Sequence, residues 1–183
     1  MREALLEDGV PLTAGWFVVG VRDAQWLHNR MRSVCRFGGQ GDAHFDDLGV
    51  SLYWLPPGKP MSLYHHETGQ EDFLVLAGAC TLIIAGQERP LVRWDLVHCP
   101  PRTPHTIVAA EGQPALVFAV GARKEKGSAR YPVDPLAIAH GAGVSDESTT
   151  AQDIYASFGE PMSGPAPGMF SGDPGGEGTA SRG

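Results

Sequence analysis

The chain has 183 residues and a net charge of −7, from 14 basic and 21 acidic residues. Its basic residues form no stripe, and the local cluster from Arg123 to Lys126 is short and interrupted by an acid, so neither nucleic acid nor an anionic membrane is expected as a partner. No window approaches the ~18 apolar residues of a membrane span, and the N-terminus does not resemble a secretory signal, which predicts a cytoplasmic location.

Short strands are predicted along most of the chain, because runs rich in Val, Leu, Ile and aromatic residues alternate with Gly, Pro and Asp. Their spacing is typical of a β-sandwich or barrel, and the stretch 49–122 leaves no room for crossover helices, so the sheet should be antiparallel. The first strand is apolar and expected at a sheet edge, where it would pair with a second copy in a homodimer. In chain order the predicted strands are 15–21, 49–55, 72–78, 80–86, 88–94, 95–100, 105–110 and 115–122.

Short helices are predicted at the edges of this all-β domain, each after a residue suited to N-capping. The second of them also has Pro at its first position, which favours helix initiation. The predicted helices with their caps are 23–31 with Asp23, 135–141 with Asp134, and 149–158 with Thr149 or Thr150.

Composition divides the chain into parts of different character. Gly159 to Gly183 contains eight Gly and four Pro with few large apolar side chains. Such a segment cannot offset its ordering entropy and is predicted to be a disordered tail. The predicted parts are an N-terminal extension that packs on the barrel at 1–48, a β-barrel at 49–122, a helical extension at 123–158 and the tail at 159–183.

The cysteines Cys35, Cys80 and Cys99 are odd in number and far apart in the chain. This spacing argues against a zinc ribbon or a CxxC redox motif. Cys80 and Cys99 lie in apolar, strand-like runs, so they are expected to be buried as small apolar side chains.

One strongly polar segment, SLYHHETGQED, comes directly before an apolar run. Burial of unpaired charges is costly, and sharing a metal ion is a common way to offset that cost. The segment therefore predicts a metal site. Within eight positions it holds two histidines and three acids, His65, His66, Glu67, Glu71 and Asp72.

Two segments resemble the sequence motifs of the cupin superfamily. PPGKPMSLYHHETGQEDFLVLAG resembles the first motif, G-x5-H-x-H-x3or4-E-x6-G, and WDLVHCPPRTPHTIVA resembles the second, G-x5-P-x-G-x2-H-x3-N. The motif positions that match are Gly58, Glu71, Gly78, Pro100 and His105. The resemblance implies a single-domain cupin, with an antiparallel jelly-roll β-barrel, short peripheral helices and the disordered tail.

The chain departs from the second motif at three positions. Trp94 replaces the first Gly, Arg102 replaces the second Gly, and Ala109 replaces the final Asn. A bulky residue at the first of these positions predicts that the turn does not require positive φ.

The resemblance implies metal ligands from both motifs, but two registers fit the first motif. One gives His65, Glu67 and Glu71 as ligands together with His105, and the other uses Tyr64 and His66 instead. Alternation along a strand favours the first register, because His65 and Glu67 share a parity with the apolar Met61 and Leu63. The second register stays open as the alternative. Candidate substrate-binding residues near this set are Tyr64, Phe73 and His98.

A mixed set of imidazoles and carboxylates suits a divalent ion, Fe, Mn, Ni or Zn, without choosing among them. The cupin scaffold hosts many activities, so fold alone does not give function. The resemblance and the ligand set together imply a metal-dependent enzyme, of dioxygenase or isomerase type, that acts on a small polar metabolite. The alternative is a non-catalytic cupin that binds or senses a small ligand.

Overall fold

The computed structural model of the chain describes residues 2–39, 41–123 and 129–170. Within these ranges no helix is both long and apolar enough to cross a membrane. The strands are β1 (Leu6–Glu7), β2 (Val10–Pro11), β3 (Trp26–His28), β4 (Ser33–Arg36), β5 (Leu48–Leu55), β6 (Glu71–Ala77), β7 (Ala79–Ile84), β8 (Gln87–Val92), β9 (Leu96–Cys99), β10 (His105–Ala109), β11 (Ala115–Ala122) and β12 (Met162–Gly164). The α-helices are α1 (Pro135–Ala139) and α2 (Ala151–Tyr155), and short 3-10 helices cover Gly41–Ala43, Ala156–Phe158 and Gly168–Phe170.

Two antiparallel sheets enclose the core. The larger has the strand order β12-β3-β4-β5-β11-β6-β9, the smaller has the order β10-β7-β8, and β1 pairs separately with β2. Every ladder between these strands is antiparallel. The predicted all-β architecture with short peripheral helices is therefore confirmed.

Alternation along each strand decides which side chains enter the core between the sheets. Phe73 of β6 pairs with Ala119 of β11 on one side and with Val97 of β9 on the other. All three are buried in one cluster, which also contains Leu82 and Ile107 from the smaller sheet. Full burial of a side chain of this size stabilises the fold by about 1.5–3 kcal/mol.

The outer faces of both sheets are also covered. Trp26, which is fully buried, packs with Leu52 and Leu116 on the outer face of the larger sheet. Helix α1 covers the smaller sheet through Ala137, which packs with Ile83. Strands of both sheets therefore carry apolar residues at both parities, unlike a sheet with one solvated face.

The predicted strand at 15–21 and the predicted helix at 23–31 are wrong. Residues 17–20 adopt no regular structure, and Trp16 makes a single isolated bridge to Glu3. The apolar residues Val19 and Val21 instead pack on the outer face of the larger sheet. The edge strand on which the homodimer prediction depended is thus not formed.

Strand β3 occupies the middle of the predicted 23–31 helix. Trp26 and Cys35 are opposite each other in the β3–β4 pair, and both are fully buried. The indole nitrogen of Trp26 donates to the carbonyl of Val21 at 2.9 Å. Burial of this aromatic residue against the sheet outweighs the local capping signal that favoured a helix.

The two C-terminal helices form where they were predicted. Helix α1 begins at Pro135, and the side chain of Asp134 accepts a hydrogen bond from the amide of Ala137 at 2.9 Å, as expected of an N-cap. Helix α2 follows Thr150, whose side chain makes no capping hydrogen bond.

The first part of the predicted tail is ordered, so the predicted boundary at 159 is too early. Strand β12 pairs with β3, and the ring of Phe170 packs 5.5 Å from that of Trp26. The pairing supplies backbone hydrogen bonds that the composition of the segment does not signal. The rest of the predicted tail, 171–183, lies outside the described residues.

The expectation for Trp94 is wrong, because its φ is 79°. Arg102, at the other glycine position of the second motif, has a φ of 64°. Both turns thus keep the left-handed backbone that glycine adopts without strain, although both carry a side chain. Such a conformation costs about 1–2 kcal/mol in a residue with a Cβ atom.

We expect Arg102→Gly to raise the free energy of unfolding by up to about 1 kcal/mol. Glycine loses more conformational entropy on folding than arginine does, but the relief of backbone strain is expected to exceed that loss. Arg89→Gly is the matched control, because Arg89 is exposed in the interior of β8. The backbone of Arg89 does not have a positive φ, so it carries no such strain. In this control the free energy of unfolding should fall by about 0.5–1 kcal/mol, because glycine weakens a strand interior. Denaturant unfolding measures both, and an equal loss in the two variants would contradict the strain at Arg102.

The three cysteines are unpaired and buried. Burial raises the pKa of Cys35 and Cys80 to about 11 and that of Cys99 to about 12. Thiol reagents attack the thiolate, so these side chains should be inert in the folded protein. Ellman's reagent at about pH 8 should label all three thiols only after denaturant is added. Rapid labelling of any thiol in the native state would show that its burial is not maintained.

Candidate metal centre

Two histidines distant in sequence are brought together by paired backbone hydrogen bonds. The amide of His65 donates to the carbonyl of His105 at 3.2 Å, and the amide of His105 donates to the carbonyl of His65 at 2.9 Å. This exchange is the hydrogen-bonded pair of an antiparallel ladder, in which side chains opposite each other lie on the same face. The two imidazole rings are accordingly 5.2 Å apart between centroids.

Glu71 completes a cluster of potential ligands with these histidines. It is the first residue of β6 and pairs with Cys99 at the end of β9. One side-chain atom from each of His65, Glu71 and His105 lies within 4.8 Å of the others. The Nε2 atom of His105 is 3.4 Å from Oε2 of Glu71.

Hydrogen bonds fix the tautomer and direction of both imidazoles. Nδ1 of His65 lies 2.9 Å from the carbonyl oxygen of Leu63, and Nδ1 of His105 lies 2.9 Å from that of Thr103. A carbonyl oxygen accepts only, so each Nδ1 carries the proton and each Nε2 presents a lone pair. Nε2 of His105 is buried without a hydrogen-bond partner among the described residues.

Glu67 lies at the edge of this cluster. Its Oε1 is 3.8 Å from Nε2 of His65, and the side chain is 43% exposed. It does not belong to the group of three, so it would have to approach by a rotation of its side chain to share an ion. The amide of Arg102 donates to the backbone carbonyl of Glu67 at 2.8 Å, which ties the first motif to the strained turn of the second.

Burial sets the protonation of the centre. It lowers the pKa of His65 to about 3, with a further contribution from His105, and it lowers the pKa of His105 as well. Burial, assisted by the charge of Glu67, raises the pKa of Glu71 to about 7. Both imidazoles are therefore neutral at physiological pH, as metal ligation requires.

A cavity of about 460 Å³ opens beside His65 and Glu71, while His105 lies behind its wall rather than in it. Its walls combine the inner face of the larger sheet with segments from outside the barrel. The sheet contributes Arg36, Tyr53, Glu71, Phe73 and Ala119, and the outer segments contribute Asn29, Arg32, Tyr131, Gln152, Tyr155 and Glu160, among others.

Two tyrosines close one side of the cavity. The ring of Tyr131 stacks on that of His65 at 5.6 Å, and the ring of Tyr155 meets Tyr131 edge-on at 5.9 Å. The hydroxyl of Tyr155 accepts a hydrogen bond from the amide of Leu63 at 2.9 Å, which attaches helix α2 to the segment that carries His65.

The candidate side chains of the first motif point in different directions. His65 and Glu67 line the cavity, whereas Tyr64 and His66 do not. Tyr64 packs under α1 with Ile83, and its hydroxyl accepts from the amide of Gly86 at 3.3 Å. The segment 61–64 is not a regular strand, and Leu63 packs with Tyr131 rather than in the barrel core.

Of the candidate substrate-binding residues, Phe73 lines the cavity and the other two do not. His98 projects from the exposed face of β9, where its Nδ1 lies 2.6 Å from Oδ1 of Asp72. It alternates with the inward-facing Val97 and Cys99, so strand geometry turns it away. Tyr64 and His98 therefore lie away from this cavity, and their assignment to substrate binding stays a prediction.

Sequence reasoning missed the residues that enter the cavity from outside the barrel, notably Arg32, Tyr131 and Tyr155. They lie outside both motifs, and no periodic pattern connects them to the centre. A partial signal existed for Tyr155, because it belongs to a helix predicted to pack against the barrel.

These side chains fit a divalent metal ion. The unpartnered Nε2 of His105 and the Nε2 of His65 face a carboxylate of Glu71, with the opposite ring nitrogens held by backbone carbonyls. Metal-bound histidines characteristically have such a second hydrogen bond, which orients the ring. The cluster of His65, Glu71 and His105 could hold a metal ion.

Comparisons with known proteins agree with this architecture. The family model described as "Cupin domain" matches residues 51–121. No curated protein sequence matches the chain.

Two solved structures are similar to this chain in fold. The polyketide cyclase RemF from Streptomyces resistomycificus is 15% identical over 62% of this chain and 83% of its own, with a TM-score of 0.53. An RmlC-like cupin from Shewanella frigidimarina NCIMB 400 is 14% identical over 62% of this chain and 95% of its own, with a TM-score of 0.51. At such identities the likeness concerns the fold alone. Residues 51–121 thus match the cupin-domain model, and the chain is similar in fold to these solved structures.

Proposed function

We propose that this protein is a metal-dependent enzyme of the cupin type, which oxygenates or isomerises a small polar metabolite. The observation that supports this best is the pair of buried, neutral imidazoles beside Glu71, with Nε2 of His105 left without a hydrogen bond. An unsatisfied buried polar atom costs about 1–3 kcal/mol. A metal ion bound to His105 would satisfy that atom.

In this proposal His65, Glu71 and His105 bind the ion, and Glu67 is a fourth ligand. The set of nitrogen and carboxylate ligands suits Fe, Mn, Ni or Zn. A divalent ion held there would polarise a substrate oxygen as a Lewis acid.

The chain's own residues prepare the cavity for a substrate. Tyr131 stacks on His65 and restricts rotation of that ring, while the hydrogen bond from Leu63 to Tyr155 keeps helix α2 over the site. The cavity of about 460 Å³ lies within the range typical of small-molecule sites. Its walls limit the access of water to the buried histidines, which strengthens electrostatic interactions inside.

We expect the protein to bind about one divalent ion per chain, and Glu71→Gln or His105→Ala to weaken binding by at least about 100-fold, because each removes a ligand of the same ion. Metal content by mass spectrometry, after purification without a metal-binding tag, measures this. His98→Ala and His140→Ala are matched controls, since each histidine pairs with an exposed carboxylate elsewhere, His98 with Asp72 and His140 with Glu88.

Full retention of metal in the Glu71 and His105 variants, or equal loss in the two controls, would contradict the assignment of these ligands. Circular dichroism establishes that each variant is folded. Removal of the metal with a chelator should abolish activity but leave the fold intact. Ligand binding that is unaffected by metal removal would instead favour a non-catalytic binding protein.

A further inference from the structure

Arg32 is held in the cavity wall by a well-defined set of contacts. It follows the turn between β3 and β4, where Oδ1 of Asn29 accepts hydrogen bonds from the amides of Met31 and Arg32 at 3.0 Å. Its Nη1 donates to the carbonyl of Met61. The guanidinium also lies over the rings of Tyr53 and Tyr155, 5.2 and 5.9 Å from their centroids.

All of these contacts are with neutral groups. The side chain is half-buried, yet no Asp or Glu among the described residues forms an ion pair with Arg32. Its Nε and Nη2 atoms donate no hydrogen bond within that part of the chain. Charged groups removed from water are normally paired, because an uncompensated charge is costly. The missing counter-charge is what an anionic ligand would supply.

The position of Arg32 directs that anion toward the candidate metal centre. Arg32 lines the same cavity as His65 and Glu71. Arg36 lines it too, and it has the same strand parity as Arg32, so both arginines lie along one face of the β4 segment. A ligand held by Arg32 would thus occupy the space in front of His65 and Glu71.

Four aromatic side chains form another part of the wall, beside small and polar residues and three glutamates. Tyr53, Phe73, Tyr131 and Tyr155 all line the cavity. Such surfaces contact flat, apolar groups well, and the guanidinium fork binds planar carboxylate or phosphate oxygens with two parallel hydrogen bonds. The wall therefore combines arginines that can bind an anion with aromatic rings that can contact an apolar body.

We propose that the substrate is a small organic anion, whose carboxylate or phosphate pairs with Arg32 and whose apolar body lies among the aromatic rings. This inference rests on the proposed function, because it names the substrate class of the same cavity. The anion neutralises the charge of Arg32, and the opposite end of the molecule faces the centre formed by His65, Glu71 and His105.

Calorimetric titration with matched acids and neutral analogues tests the proposal. The probes are benzoate against benzamide, and phenyl phosphate against phenol, each added to zinc-loaded and to chelator-treated protein. We expect the wild type to bind at least one anion about 10-fold or more tightly than its neutral analogue, since a charge-assisted pair exceeds a neutral contact. The two pairs distinguish a carboxylate site from a phosphate site.

Substitutions at Arg32 attribute that preference to the guanidinium. Arg32→Met should reduce it to less than about twofold, whereas Arg32→Lys, which keeps the charge but not the fork, should retain part of it. Arg89→Met is the control and should leave the preference unchanged, because Arg89 is exposed on β8 of the other sheet. The comparison of each anion with its neutral analogue in the wild type does not depend on the folding of any variant.

Two results would overturn the inference. One is a wild type that prefers neither anion, and the other is a preference that survives in folded Arg32→Met, which would mean that another group holds the anion. Zinc content measured on the same samples distinguishes a failure of this inference from a failure of the proposed function. If the wild type retains no zinc, and no Fe, Mn or Ni when these are supplied instead, the proposed function fails, and the effect of Arg32→Met on chelator-treated protein decides the anion site by itself.

Discussion

The candidate centre depends on the pair of backbone hydrogen bonds between His65 and His105. This bridge brings residues from the two motifs side by side, and each Nδ1 is then fixed by the carbonyl of the residue two positions earlier. Neither ring can rotate without losing a buried hydrogen bond, which costs about 1–3 kcal/mol. The Nε2 atoms are therefore held in place before any ligand arrives, and pre-organisation of this kind lowers the cost of binding.

The cavity is built by segments that the barrel alone does not contain. The β3–β4 turn carries Arg32, helix α2 carries Tyr155, and the segment after β11 carries Tyr131. They hold one another through the rings of Tyr131 and Tyr155 and the contact of Arg32 with Tyr155. The barrel thus supplies most of the clustered side chains, while the extensions supply much of the cavity wall. This division explains how one scaffold can host many activities through changes outside the barrel.

Strand positions in the barrel were predictable because alternating apolar residues and turn residues are local signals. His65 rather than His66 lines the cavity, but the segment 61–64 is not the regular strand that the parity argument assumed. Other features depend on distant contacts that no local pattern encodes. The apolar run at 15–21 covers a sheet instead of joining one, and Trp94 tolerates a φ of 79° because the surrounding turn imposes it. Arg32 enters the cavity only because β4 pairs with β5, so its role could not be read from the sequence.

The most direct test of the account is the location of a bound ion in crystals of the zinc-loaded protein. Anomalous scattering recorded at the zinc absorption edge should give one strong peak about 2.0–2.2 Å from Nε2 of both His65 and His105 and from a carboxylate oxygen of Glu71. A peak confined to another pair, such as His98 with Asp72, or no peak beside His65 and His105, would contradict a metal centre at this site.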